Sequence, residues 1–287
     1  MVENDFSIRM ALLERDLHDR VFQDESRYSR EDRESDSLYG HLERVAKFAR
    51  EIGRSEGVDP FTCYLAGLFH DAGKFAGGKY HVGDTPEEEL SIQVLTEFGL
   101  KHGIDGTIIH DVAEAIQQIY RDDPNLTPLA RVLFDADNLD KLGPLGIASY
   151  FVKTGLRGSG ISEEILYKLT VELTYARYAP LALATKSGRE LARLNAPFTI
   201  RFIYDLLDSL RKSGLYDFRV NEIVFDGLTF DVVAPIACSC GGEIKRRIWK
   251  IPGKKCVEIH LEHSCSGCNN KNEIRFCRPR LGFAVCV

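Results

Sequence analysis

No run of apolar residues in this chain is long enough to cross a membrane, and Met-Val-Glu-Asn-Asp at the start lacks the basic-then-apolar pattern of a secretion signal. No membrane partner is expected, and the expected compartment is the cytoplasm. Cysteine is almost missing from most of the chain: Cys63 stands alone until Cys238, and the other seven of the eight fall in the last fifty residues. Without an export signal, that crowding reads as reduced thiolates holding metal, not as a disulfide framework. Positive charge is also short, with 37 Lys and Arg against 43 Asp and Glu. The shortage is local. From Pro235 onward there are 10 Lys/Arg and 4 Asp/Glu, so the tail carries +6 and residues 1–234 carry −12. An acidic body argues against general nucleic-acid binding there, and the asymmetry implies two parts with different jobs.

What is present suits a folded protein. With 287 residues, 44% hydrophobic and 28% charged, the chain can bury a core and accommodate one large and one small domain. The first two-thirds read as helices. Leu42, Val45, Ala46, Ala49 and Ile52 recur at helical steps after His41, and Asp59-Pro60 starts the next helix. Thr85-Pro86-Glu87-Glu88 reads as a capping box, Ile108 to Ile119 as a further helix, and Thr127-Pro128 as the start of one carrying Asp137. Two more are expected near 162–178 and 197–212. Gln23 to Ser37 is nearly all polar and is expected to be a mobile surface loop, and Phe75–Thr85 and Lys153–Gly160 are expected to be loops that shape the pocket. After Gly214 the pattern changes: Glu222–Phe225, Asp226-Gly227 and Leu228–Val233 spell a β-hairpin. The expected domains are therefore 1–214, helical, and 215–287, small, β-rich and cysteine-rich; the fold class is mainly α.

The chemistry centres on Leu68-Phe69-His70-Asp71-Ala72-Gly73-Lys74, with His41 upstream and Asp135-Ala136-Asp137-Asn138-Leu139-Asp140 downstream. Two imidazoles and two carboxylates suit a divalent transition metal and leave coordination positions for water. Taken singly, His41 reads as a helix-end histidine, and Asp135 and Asp140 as solvated or capping groups. Together, Asp71 and Asp137 in apolar runs need a counter-charge. The set His41…His70-Asp71…Asp137, with Asp-Asn-Leu-Asp-Lys-Leu-Gly around the last member, resembles the HD-domain superfamily of metal-dependent phosphohydrolases. Echoes include His41-Leu42-Glu43-Arg44-Val45, Gly73-Lys74 and Thr185-Lys186-Ser187-Gly188-Arg189-Glu190-Leu191-Ala192. The resemblance covers roughly residues 38–210.

It implies a helical bundle whose His41, His70, Asp71 and Asp137 hold one catalytic divalent cation (manganese, iron, cobalt, nickel or magnesium), and hydrolysis of phosphoester or phosphoanhydride bonds. The substrate expected is a small phosphorylated compound, a nucleotide foremost. Lys74 and Lys141, with Arg44 third, are candidates to stabilise phosphate oxygens, and Asp140 to orient water or a lysine. Relatives with a second metal carry a further histidine where this chain has Ile119-Tyr120; His81 and His110 are the nearby substitutes and read as ordinary polar residues.

In the tail, Cys238-Ser239-Cys240 and Cys265-Ser266-Gly267-Cys268 flank two arms, Glu243–Ile251 and Cys256–His263, turned at Pro252-Gly253. A hairpin would bring both pairs to its open end as a structural zinc site, resembling a zinc ribbon with its first pair one residue tight. His260, His263 or Cys256 are alternative ligands. Cys277 and Cys286 have no assigned partner, and Cys63 reads as a small buried apolar group. Lys245, Arg246, Arg247, Lys250, Lys254 and Lys255 around Trp249 leave nucleic-acid binding open against a zinc-stabilised lid or homodimer contact. A nucleic-acid-associated regulator and a di-iron oxygenase on the same scaffold are the competing functions.

Overall fold

Helices follow the apolar spacing of the sequence as far as Lys212, and strands begin at Phe218. The computed structural model describes residues 2–28, 37–78, 85–119, 125–156, 158–238, 240–252, 257–268 and 270–277. By Cα proximity the chain forms two compact units: residues 1–140 with 184–188, and residues 141–183 with 189–287.

The first unit holds α1 (Val2–Tyr28), α2 (Ser37–Glu56), α3 (Pro60–Phe69), α4 (Glu87–Lys101), α5 (Gly106–Ile119) and α6 (Pro128–Leu139). Leu42, Val45, Ala46, Ala49 and Ile52 are all buried, the inner stripe of α2. Asp59 caps α3 by accepting from Thr62 N, and Thr127 caps α6 by accepting from Ala130 N, each with proline in the first turn. Helices α2, α3 and α6 touch pairwise. The α2–α3 approach requires Gly67, where a Cβ would come within 2.5 Å of Ala46 Cα.

The second unit contains α7 (Gly143–Leu156), α8 (Glu163–Ala182), the strands, and all but the first turn of α9 (Lys186–Lys212). Strands β1 (Phe218–Phe225) and β2 (Leu228–Pro235) form an antiparallel hairpin whose turn, Asp226-Gly227, has positive φ at both residues, as a type I′ turn requires. The other edge of β2 is closed by α8. Tyr178, Thr174 and Thr170, at successive turns, accept from the N–H groups of Thr229, Asp231 and Val233. Three helix hydroxyls thus stand where a third strand would pair, and Arg177 grips Asp231 beside them. A second sheet has the order β3 (Ile244–Pro252), β4 (Val257–Cys265), β5 (Lys271–Cys277), all antiparallel.

A boundary at Gly214 follows secondary-structure content; the compact units follow packing, because β2 is bonded to α8. Several local expectations are corrected. Gln23 to Tyr28 belong to α1, and Asp24 and Glu25 are buried: Glu25 accepts from Ser37 Oγ and Leu38 N at the start of α2. Residues 29–36 lie outside the described ones. Thr85 caps nothing. Pro86 stays extended at φ −59, ψ 148, so α4 begins at Glu87 without a side-chain cap and meets its dipole with Glu87, Glu88 and Glu89. Helix α7 occupies a stretch that includes part of the expected loop Lys153–Gly160, and α9 starts at Lys186, not near 197.

Candidate functional site

Four helix positions bring the predicted ligands together. His41 sits one turn into α2, His70 and Asp71 at the C-terminal end of α3, and Asp137 in the last turns of α6. His41, His70 and Asp71 are buried and each places one ligand atom within 4.8 Å of the others. Asp137 Oδ1 lies 3.6 Å from His41 Nε2 and 3.8 Å from His70 Nε2, and its side chain is partly exposed. Asp71 Oδ2 is 3.9 Å from His70 Nε2.

The protons of the two histidines are set by their outer nitrogens. His70 Nδ1 lies 2.8 Å from the carbonyl of Gly67, which can only accept, so that nitrogen carries the proton. His41 Nδ1 lies 2.7 Å from Asp140 Oδ2 and donates likewise. In neutral rings, both Nε2 atoms then present lone pairs, and they face each other at 3.3 Å. Two acceptors at that separation in a buried site require a positive charge between them. The electrostatics agree. Burial pushes His70 down, but Asp71 and Asp137 outweigh it and raise its pKa. Burial pushes the Asp71 carboxyl up, and Lys74, His70 and His41 overcome this and hold it below the usual carboxylate range. Ligand bonds of about 2.0–2.2 Å imply ligand–ligand separations of about 3–4 Å, as found here. The residues fit a divalent cation.

Around this set, the predicted catalytic residues take more specific places. Asp140 ends α6, where His41 and Arg44 occupy its oxygens; Arg44 donates through Nε (2.6 Å) and a terminal nitrogen (3.1 Å). Burial raises the Asp140 carboxyl, and His41 and Arg44 bring it below its ordinary value. Asp140 therefore orients His41, where orientation of water or a lysine was expected, and Arg44 backs Asp140. Arg44 follows His41, and Asp140 follows Asp137, by one turn on helices that touch, and the contact is what pairs them. Lys74 Nζ lies 2.5 Å from Asp71 Oδ2. Lys141 belongs to the second unit, its Nζ 5.9 Å from the Tyr175 ring centroid. Asp135 is a structural anchor, accepting from Ala184 N, Thr185 N and Thr185 Oγ1, while Thr185 Oγ1 accepts from Gly188 N at the start of α9. That contact accounts for the Thr185–Gly188 motif. His110 is exposed on α5, outside the ligand group, and His81 and Tyr120 lie outside the described residues.

The tail gathers Cys238, Cys240, Cys265 and Cys268, their sulfurs all within 4.8 Å of one another. Neighbouring Sγ atoms stand 3.3–3.5 Å apart, close to the ~3.8 Å edge of a tetrahedron with 2.3 Å metal–sulfur bonds. Backbone N–H groups of Cys268 and Gly267 push the Cys265 thiol down to about 6, toward thiolate. His260 is placed apart from this group, between Glu258 and Glu273 and stacked on Trp249. His263 is buried in a cleft that Cys238 and Cys265 also line; burial, then Arg246, pushes its pKa down to about 4. Cys63 is buried, and Cys256, Cys286 and the turn at Gly253 lie outside the described residues. Cations of the tail are partly matched: Lys250 pairs with Asp226, Lys271 with Glu262 and Arg275 with Glu273. Among the described residues no helix is long and apolar enough to cross a membrane.

Residues 38–142 match the family model described as HD domain. In sequence the chain is similar to the uncharacterized protein YpgQ of Bacillus subtilis (strain 168), 28% identical over 188 residues, which span 61% of this chain and 85% of that one. The crystal structure of Bacillus subtilis YpgQ in complex with ADP aligns at 25% identity and a TM-score of 0.47, covering 69% of this chain and 96% of that chain. A predicted HD superfamily hydrolase from an uncultured Thermotogales bacterium aligns at 20% identity and a TM-score of 0.46, covering 68% and 91%.

Proposed function

From the HD domain that this chain carries at residues 38–142, we propose a metal-dependent phosphohydrolase acting on a nucleotide or another small phosphorylated compound. One observation carries the reading: two buried imidazoles, their tautomers set by Gly67 O and Asp140, turn their Nε2 lone pairs toward each other beside two carboxylates. His41, His70, Asp71 and Asp137 would hold the cation. When bound, it supplies Lewis acidity that lowers the pKa of water toward neutrality and draws charge from a phosphoryl oxygen. Asp140 holds the His41 ring in its ligating tautomer, and Arg44 keeps Asp140 ionised and aimed. Lys74 fixes the rotamer of Asp71, and its ammonium has three donors, enough to bind Asp71 and a phosphate oxygen together. Lys141 is proposed as a second phosphate contact, from its place directly after Asp140. In the tail, the four cysteines are proposed to hold structural zinc, closed to substrate.

The test is phosphate or pyrophosphate release from a panel of nucleotides, ADP included, and simple phosphoesters, with each of manganese, iron, cobalt, nickel and magnesium. Hydrolysis should require an added divalent cation and fall at least about 100-fold in Asp71→Ala with helicity unchanged. Cation-independent hydrolysis, or full activity in Asp71→Ala, would remove the proposal.

A further inference from the structure

Asp24 and Glu25 stand side by side near the C-terminal end of α1, and both are buried, at 4% exposure. Each accepts a backbone N–H from a segment that carries candidate ligands. Glu25 Oε2 lies 2.8 Å from Leu38 N and Oε1 2.5 Å from Ser37 Oγ, at the start of α2, with His41 one turn further on. Helix α2 has no acidic residue in its own first turn, so Glu25 supplies the acceptor its N-terminus needs. Asp24 Oδ1 accepts from Gly77 N at 3.2 Å, in the turn that follows His70 and Asp71. That turn is bonded step by step to the ligand segment: Lys74 N donates to Asp71 O, Ala76 N to Gly73 O and Gly78 N to Phe75 O. Its first residue is held by α4, where Ser91 Oγ accepts from Gly73 N. Its far end is held by α1, where Tyr28 stacks on Phe75 with ring centroids 4.8 Å apart. Arg20 Nε donates to Asp24 at 2.8 Å, and a Cβ at Gly78 would come within 2.7 Å of Arg27 Cβ, so α1 lies hard against this turn.

We infer that the end of α1 is a positioning strap for the metal centre, in which Asp24, Glu25 and Tyr28 set the separation of His41 from His70 and Asp71. The inference rests on the metal reading above and deepens it. All three residues precede residue 38, where the match to the HD domain model begins. The strap has a force to resist. The Nε2 atoms of His41 and His70 face each other at 3.3 Å with the Asp137 carboxylate beside them, and these acceptors repel until a cation lies between them. Moving the start of α2 away from the end of α3 would relieve that repulsion at the expense of the site. A helix is stiff, so neighbouring residues of α1 bonded to both segments oppose the movement. Ligands held within about 0.5 Å of their working positions bind an ion without first being gathered.

Titration of the metal-stripped full chain with Mn²⁺ tests this, with free ion counted by electron paramagnetic resonance; the soft thiolates of the tail disfavour that ion. Asp24→Ala and Glu25→Ala should each weaken Mn²⁺ binding about tenfold. Glu25→Gln should bind within about threefold of the wild type, because its amide oxygen still accepts from Leu38 N and its NH₂ donates to Ser37 Oγ. A strap that only stabilised the fold would lower the urea midpoint of the alanine variants and leave the Mn²⁺ affinity of the folded protein unchanged. That result, or Glu25→Gln binding as weakly as Glu25→Ala, would overturn the inference. If an alanine variant does not fold, Tyr28→Ala answers in its place, since Tyr28 is 37% exposed. Binding weakened by about threefold or more is expected there, and undiminished binding overturns the inference. A wild type that takes up no Mn²⁺ would defeat the metal reading itself and this inference with it, whereas variants that match a binding wild type defeat the inference alone.

Discussion

At the scale of single residues, the proton on each histidine decides what the site can bind. Gly67 O and Asp140 take the Nδ1 protons and leave lone pairs on both Nε2 atoms, which face each other. Replacing Asp140 by asparagine lets the amide donate to Nδ1, which moves the proton to Nε2 and removes that lone pair. Asp140→Asn is expected to weaken divalent-cation affinity about 10–100-fold while melting near the wild-type temperature, read by cation titration and circular dichroism. A second residue speaks through pH. Burial pushes the Glu172 carboxyl up to about 7, against the pull of Lys141 and Lys153. In the unfolded chain it ionises near 4.5. Between those values the folded state keeps a proton that the unfolded chain has lost, so this contribution to stability is full below pH 4.5 and is lost as pH rises through 7. Glu172→Gln should abolish that slope, worth at most about 3 kcal/mol, in urea unfolding at a series of pH values. That His41, His70, Asp71 and Asp137 come together could be read from sequence because histidine and aspartate at those spacings have few other uses. Asp140 as the partner of His41 could not, because it depends on how α2 and α6 cross.

At the scale of elements, local chemistry settled some helix ends and packing settled others. Asp59-Pro60 and Thr127-Pro128 start helices as read, since each cap needs only residues within three of itself. Thr85 failed because the extended proline after it begins no helix. Helix α7 was missed because its glycines, Gly143, Gly146 and Gly155, and the proline at its start read as breakers, and only Ser149, Tyr150, Lys153 and Thr154 interrupt its apolar residues. The α6–α9 junction was legible as a motif, not as a role: Asp135 satisfies three donors at the start of α9, and Gly188 is required because a Cβ there would sit 2.2 Å from Asp135 Oδ2. Asp135→Ala leaves those donors buried and unpaired and is expected to cost about 2–4 kcal/mol in chemical unfolding. Gly188→Ala should destabilise through the clash and leave the cation ligands chemically intact.

At the scale of the whole molecule, residues 38–142 match the HD domain model, and the tail gathers four cysteines that could hold a metal. Composition foretold helices first and strands after, and the cysteine spacing foretold the open-end cluster, because an antiparallel hairpin brings positions equidistant from its turn together. The division into compact units was not legible. It depends on three α8 hydroxyls meeting the edge of β2, a contact between segments over fifty residues apart. Stripping zinc with a strong chelator, or substituting Cys240→Ser, should unfold β3–β5 and leave the helical signal largely in place, by circular dichroism with elemental analysis. The central claim is that His41, His70, Asp71 and Asp137 enclose one divalent cation, and titration of metal-stripped protein with Mn²⁺ tests it most directly. The account predicts one Mn²⁺ site in the wild type that is lost in Asp71→Ala and in His70→Ala; undiminished binding in both variants would contradict it.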